Sequence, residues 1–457
     1  MKSFLFRCQF AGALAVCTFW AQNVSAQKAQ AVQYTVTDLG VLYGANPGPL
    51  NIKNDGLFAE TATVSNTSMQ AAIGFLGLQI ELGGMGGPNS AAFGVNEWGQ
   101  AVGVAETPDL DANLEDFCAF GTRHICQPFI WQNGVMSALP MLKEQTGVAG
   151  RNAAAKGINI RGQVAGVAEN TTPDSTCPPY DPASSQYQKD QFKPVIWAQG
   201  NVQELPTSGG DAKGNAFDDP DGVVFSINDS GEAVGATGTC TGFTGFSYLN
   251  GLHATLWQNG SVIDLGNLGG IAAPPPATGL GSIGNFAYGV NRWGHVAGTS
   301  GTSDGSFHAF FWSPETLIQD VGTVQGDTAS IGLAISDLGD IGGVSFPAGS
   351  LLANATVFPR AFIRPDGGTM TDLNTLVTGN TELYLFTVCS INSREEIIGL
   401  AFDPQGNLHG YLATPSNAAG DPWDESAAAT RAARFEHAWE LVRERMGRGL
   451  TQQLNPR

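Results

Sequence analysis

The stretch GVNRWGHVAGTSGTSDGSFHAFFWSPETLIQDVG, residues 289–322, decides the fold. With its flanking residues it reads as four short strands: AYGVN (287–291), HVAGT (295–299), HAFFW (308–312) and LIQDV (317–321). Each is rich in β-branched or aromatic residues and bounded by Gly, Asn, Pro or Ser, the pattern of a strand that ends in a turn.

The unit recurs along the chain. Its first turn reads IKNDGLFAE from Ile52, VNEWGQAVG from Val95, INIRGQVAG from Ile158, INDSGEAVG from Ile227, VNRWGHVAG from Val290, ISDLGDIGG from Ile335 and INSREEIIG from Ile391, seven copies in all. Their centres at 56, 99, 162, 231, 294, 339 and 395 are 43, 63, 69, 63, 45 and 56 residues apart, so the core is constant and the spacers vary. Asn bonds its own backbone two residues on, and Gly takes the positive φ with which a turn rejoins a strand. That chemistry accounts for Asn96, Asn159, Asn228, Asn291 and Asn392; the alternative is a ring of ligands. The second half of the unit returns as PFIWQNGVMSALP from Pro128, PVIWAQGNVQELP from Pro194, ATLWQNGSVIDLG from Ala254 and AFIRPDGGTMTDL from Ala361, with a worn copy, AAIGFLGLQIELG, from Ala71. Trp131, Trp197, Trp257 and Trp312 hold one place in it, as packing between neighbouring units requires, or as a stacking platform for sugars would.

Four strands in each of seven repeats predict an all-β, seven-bladed β-propeller of four-stranded antiparallel blades over 27–415. After INSREEIIGLAF the seventh unit offers one more strand, HGYLATP, and lacks a fourth. YTVTDLG at 34–40 is a copy of the missing piece, so the strand at 34–39 is expected to complete the last blade and close the ring.

The strings YTVTDLG, SVIDLGNLGG, GVNEWGQAVG, GINIRGQVAG and SFHAFFW resemble the HAF-type extracellular repeats of bacteria, named for the triplet seen here at His308, Ala309 and Phe310. The resemblance runs over most of 34–415; elsewhere the triplet becomes HAT at His253 or an AF or VI variant. It implies an exported repeat protein and transfers no activity to particular positions. His253 and His308 read as strand-edge residues.

Composition agrees with many short strands and tight turns. Of 457 residues, 42% are hydrophobic and 14% charged, with 60 Gly and 24 Pro. Lys2 and Arg7, an apolar run over 10–20 and Val24-Ser25-Ala26 make residues 1–26 a signal peptide, so the protein is expected in the periplasm or outside the cell. No later run approaches a transmembrane segment. The formal charge of -19 becomes -21 without Lys2 and Arg7, which turns nucleic acid and anionic lipid away. Export leaves Cys118, Cys126, Cys177, Cys240 and Cys389, expected as the bridges Cys118–Cys126 and Cys177–Cys240 with one spare thiol.

The connections between first and second strands, and between third and fourth, are all tight. The long segments at 106–127, 169–193, 205–223, 239–252 and 266–286 are all of the other two kinds, which emerge together on the opposite face of the ring. After Pro415, PSNAAGDPW reads as a linker and 421–446 as an amphipathic C-terminal α-helix, giving 416–457 as a separate tail.

The chain has no H-E-x-x-H, phosphate loop or CxxC, and its six histidines share no ligand spacing. Two oxygen-rich turns, Asp109, Asp111 and Asn113, and Asp218, Asp219 and Asp221, are candidates for structural calcium, and no other cofactor is expected. Leu114 and Phe120 stand where an EF-hand needs Gly and Glu, so the first is no EF-hand. The functional expectation is a binding or scaffold module for a protein or glycan, working through the loop-rich face. The alternative is a polysaccharide hydrolase or lyase with carboxylates from those loops.

Overall fold

The computed structural model describes residues 32–42, 50–65, 68–75, 78–143, 147–179, 187–208, 219–240, 249–270, 284–348 and 359–416. The expected signal peptide and C-terminal helix lie outside these residues, as does Asp218. The described residues form seven sheets, six antiparallel ones of four strands and one of five. The sheets follow one another along the chain as the blades of a propeller, without a single cis peptide bond.

Blade 5 shows how the repeat becomes structure. Its strands are Phe286–Val290, Val296–Gly301, Phe307–Ser313 and Leu317–Gly322, within two residues of the expected bounds. Phe307, Ala309, Phe310 and Trp312 are buried, while Leu317, Gln319 and Asp320 of the outermost strand are exposed. Burial therefore grades from the inner strand outward, as radial packing demands.

Trp131 packs with Ala59, Ala71 and Leu82 of the first blade, Trp197 with Val102 of the second, Trp257 with Ala165 of the third and Trp312 with Val234 of the fourth. Each indole covers the preceding blade. Trp197 and Trp257 also donate to Pro140 O and Pro206 O, both at 2.7 Å. The packing role therefore holds for these residues, and the sugar platform does not.

The five-stranded sheet closes the ring. Gln33–Leu42 lies antiparallel to Leu408–Ser416, with Tyr34 opposite Pro415 and Leu42 opposite Leu408. Val377–Thr378 adds a short parallel strand outside it, which the repeat pattern does not foretell. The one helix among the described residues is the 3-10 turn Leu373–Leu376, which joins the sixth blade to that strand. Both disulfides are present, Cys118–Cys126 with Cα atoms 6.0 Å apart and Cys177–Cys240 at 4.6 Å, the latter tying the third blade to the fourth.

Candidate functional site

The inner strand of six blades carries a β-bulge at one place. Register slips between Ala92 and Gly94, Ala155 and Gly157, Val224 and Ser226, Ala287 and Gly289, Gly332 and Ala334, and Val388 and Ser390. A bulge leaves one residue unpaired and re-aims its side chain. The unpaired residues are Phe93, Lys156, Phe225, Tyr288, Leu333 and Cys389, and all six line a central channel of about 600 Å3. The residue after each bulge must be small, because the next inner strand runs against it. A Cβ on Gly94 would stand 3.2 Å from Gly157 Cα.

The channel is closed toward the loop-rich face. The next layer of inner-strand residues in that direction, among them Ala91, Ala154, Val223, Phe286 and Ile331, is buried and lines no part of the cavity. Phe93, Phe225 and Tyr288 also join a hydrophobic cluster with Phe117, Phe120, Cys126, Cys240 and the partly buried Cys118 and Cys177. The two disulfides thus pin the closed end. Rings of Phe225 and Tyr288 meet at 5.1 Å, and Lys156 Nζ sits 4.1 Å over Phe93. Burial pulls Lys156 down to about 8 and pushes the Cys389 thiol up to about 12, which leaves that cysteine inert at neutral pH.

The open end lies on the tight-turn face. Here Asn96 Oδ1 accepts from the N–H groups of Trp98 and Gln100, both at 3.1 Å, as turn chemistry predicts. Its Nδ2 does something the sequence does not disclose: it donates to Asn159 O of the next blade at 3.0 Å. Asn159 repeats this to Asn228 O, Asn228 to Asn291 O, Asn291 to Ser336 O and Asn392 to Lys53 O, at 2.9 to 3.0 Å. The asparagines staple blades together, so their amides are committed. Around the mouth stand Lys53, Glu97, Asp229, Arg292 and Asp337. Arg292 pairs with Asp337 at 2.8 Å, and Ser393 Oγ donates to the same carboxylate at 2.6 Å.

Two tryptophans in these turns escape a reading based on repeats. Trp98 and Trp293 are 58% and 63% exposed, although each indole N–H donates at 3.0 Å to a carbonyl of the next blade, Ile160 O and Asp337 O. A tight turn cannot bury a side chain of that size, and this is the signal by which they could be found. Their indoles are held in place and exposed on the tight-turn face, and neither lines the channel.

The oxygen-rich turns separate. Asp109 is exposed and donates its backbone N–H to Thr107 Oγ1. Asp111 and Asn113 join a buried network on the loop-rich side, where Asn152 Nδ2 donates to Asp111 at 2.8 Å and to Glu169 at 2.9 Å. Asn113 Nδ2 likewise donates to Asp190 at 2.9 Å and Glu115 at 3.2 Å. Burial, and after it the neighbouring carboxylates, push Glu115 and Glu169 above the usual range. Asp219 accepts from Thr237 Oγ1 at 2.7 Å, whereas Asp221 accepts from Phe192 N–H at 3.0 Å. Burial and then the Asp174 carboxyl push Asp221 up to about 9. Among the described residues the one set of carboxylate, thiol or imidazole groups close enough to share an ion is Asp174 with Cys177 and Cys240, whose sulfurs form the disulfide; Asp111, Glu115 and Glu169 do not form such a set.

Three of the histidines share a structural task. His253 Nδ1 lies 2.8 Å from Asp264, His308 Nδ1 2.9 Å from Asp320 and His409 Nδ1 2.9 Å from Asp38. Each of these aspartates in turn accepts the N–H of the glycine two residues on, Gly266, Gly322 or Gly40, at 2.7 to 2.9 Å. The third strand thereby fixes the end of the fourth.

No protein-family model matches the chain, and no curated protein matches it. Solved structures similar to it include a putative gluconolactonase, 10% identical over 84% of this chain and 92% of that one, with a TM-score of 0.29. The dipeptidyl peptidase 4 of Porphyromonas gingivalis is 11% identical over 77% of this chain and 49% of its own, at 0.28. The SapL1 lectin in complex with alpha methyl fucoside is 10% identical over 73% of this chain and 97% of its own, at 0.24. Likeness at this level carries no argument about the site. The resemblance to HAF-type repeats stands on the repeat pattern alone.

Proposed function

We propose that this chain is an exported binding module for a glycan, which it takes on the tight-turn face, with Trp98 and Trp293 as platforms and the channel mouth between the blades as the pocket. The observation that supports this reading is the pair of exposed indoles held by their own N–H bonds on the face where a cavity of about 600 Å3 opens. An aromatic face fixed in advance costs little ordering on binding, and a cavity of that size is in the range of ligand pockets. The two disulfides fit an oxidising compartment and so support export.

The reading moves the site from the loop-rich face to the opposite one. On the loop-rich side, 180–186, 209–218, 241–248 and 271–283 lie outside the described residues, and Asp111 and Asp190 accept from the side-chain amides of Asn152 and Asn113. A hydrolase or lyase needs two free carboxyl groups, or a carboxylate and a histidine, converging on substrate. At the mouth, Asp337 is committed to Arg292 and Ser393, and Asp229 accepts Ile160 N–H at 2.9 Å.

A glycan-array screen of the chain from Gln27 onward, with the exposed substitutions Trp98→Ala and Trp293→Ala, tests the proposal. Binding that each substitution weakens about tenfold or more supports it. Binding indifferent to both tryptophans and lost when 241–248 is shortened returns the site to the loop-rich face. No glycan bound by any form makes a protein the ligand.

A further inference from the structure

One position of the channel wall is unlike its counterparts. The bulge residues of the other five blades are Phe93, Phe225, Tyr288, Leu333 and Cys389, and the sixth is Lys156. The site accepts apolar side chains wherever else it occurs, so packing does not call for a lysine. Among the described residues no carboxylate pairs with the Lys156 ammonium; its Nζ lies 4.1 Å from the centre of the Phe93 ring. The channel wall therefore carries a half-buried ammonium, open to the cavity and with no protein counter-charge among the described residues, that a ligand carboxylate could meet.

From this geometry we infer that the channel selects an acidic sugar, whose single carboxylate meets Lys156 Nζ while its ring lies along Phe225 and Tyr288. The inference rests on the glycan-binding reading and names the class of glycan. A monoanion fits better than a polyanion because the mouth carries Glu97, Asp229 and Asp337 against Lys53 and Arg292, and the chain as a whole is strongly acidic. The binding step is an ion pair; no bond is made or broken. It has a pH signature. Burial brings Lys156 down to about 8, so the ammonium is lost, and the carboxylate with it, in a range where an ordinary lysine stays charged.

Calorimetric titration with glucuronate and with glucose separates the outcomes, because the two probes share a ring and differ in the carboxylate. For the full chain at pH 6.5 the expected result is at least a tenfold preference for glucuronate, shrinking toward one at pH 9.5 and in Lys156→Met. The pH comparison needs no substitution and stands even if that variant fails to fold. A preference that survives both changes, equal affinity for the two sugars, or no binding of glucuronate overturns the inference. Glucose bound equally well and in a tryptophan-dependent way leaves glycan binding intact without the acidic class. Glucuronate bound equally by Trp98→Ala and Trp293→Ala leaves the Lys156 contact intact and removes the rim platforms.

Discussion

Asn159 shows how much one residue type carries. Its Oδ1 accepts from Arg161 N–H at 3.1 Å and Gln163 N–H at 3.0 Å, which shapes the turn, and its Nδ2 reaches Asn228 O at 2.9 Å, which joins two blades. The first task is legible from N-x-x-G. The second is not, because the spacing between repeats says nothing of which carbonyl comes to face which amide. Two substitutions separate them. Serine holds the same place at Ser336, where its hydroxyl accepts from Leu338 and Asp340 N–H groups, both at 3.1 Å, so Asn159→Ser keeps the turn and loses the staple, for about 1 kcal/mol. Asn159→Asp also keeps the turn but sets a buried carboxylate against a carbonyl oxygen, at a cost of about 3 kcal/mol. Urea denaturation should rank wild type above the serine variant and that above the aspartate. Equal stability of the two variants would mean that the inter-blade bond does not form.

At the scale of the strand, the constant core and turn residues of the repeat predict the four strands of each blade, because Gly and Asn mark turns by local chemistry. The bulge was hidden. Its trace is a variable residue before a small one, as in Phe93-Gly94, Lys156-Gly157 and Tyr288-Gly289, and without the neighbouring strand nothing says that the variable residue turns into the channel. The histidine of the third strand was hidden for a related reason, since Asp320 becomes its partner only through the register of the pair. The strands and loops also bury carboxyl groups, and this predicts how stability varies with pH. Burial raises Glu60 from 4.5 to about 7 and Asp221 from 3.8 to about 9, and it raises Glu115 and Glu169 as well. With raised pKa values the folded chain binds more protons than the unfolded one, so stability is greatest at mildly acidic pH and falls as pH rises through these values. At Glu60 alone the shift corresponds to roughly 3 kcal/mol. His308, raised by its bond to Asp320, loses its contribution in the same direction. Melting temperatures should therefore decline between pH 5.5 and 8, and Asp221→Asn should flatten the profile; a curve that is level or rising across that range contradicts the burial of these groups in carboxyl form.

The whole molecule follows from closure. Seven copies of the turn, and a strand at 33–42 that matches no unit of its own, lead to a ring whose ends meet in one sheet, and there the sequence is a sufficient guide. It is a poor guide to the site, because a site on a propeller is made from every blade at once. The long connections drew attention to one face, while Trp98 and Trp293, in turns that looked purely structural, stand exposed on the other. Hydrogen–deuterium exchange with the bound glycan decides between the faces most directly. Binding at the tight-turn mouth predicts slowed exchange over 96–100 and 291–295, with 111–123 and 174–179 unchanged. Slowing confined to those two loop segments would contradict the account and place the ligand on the loop-rich face.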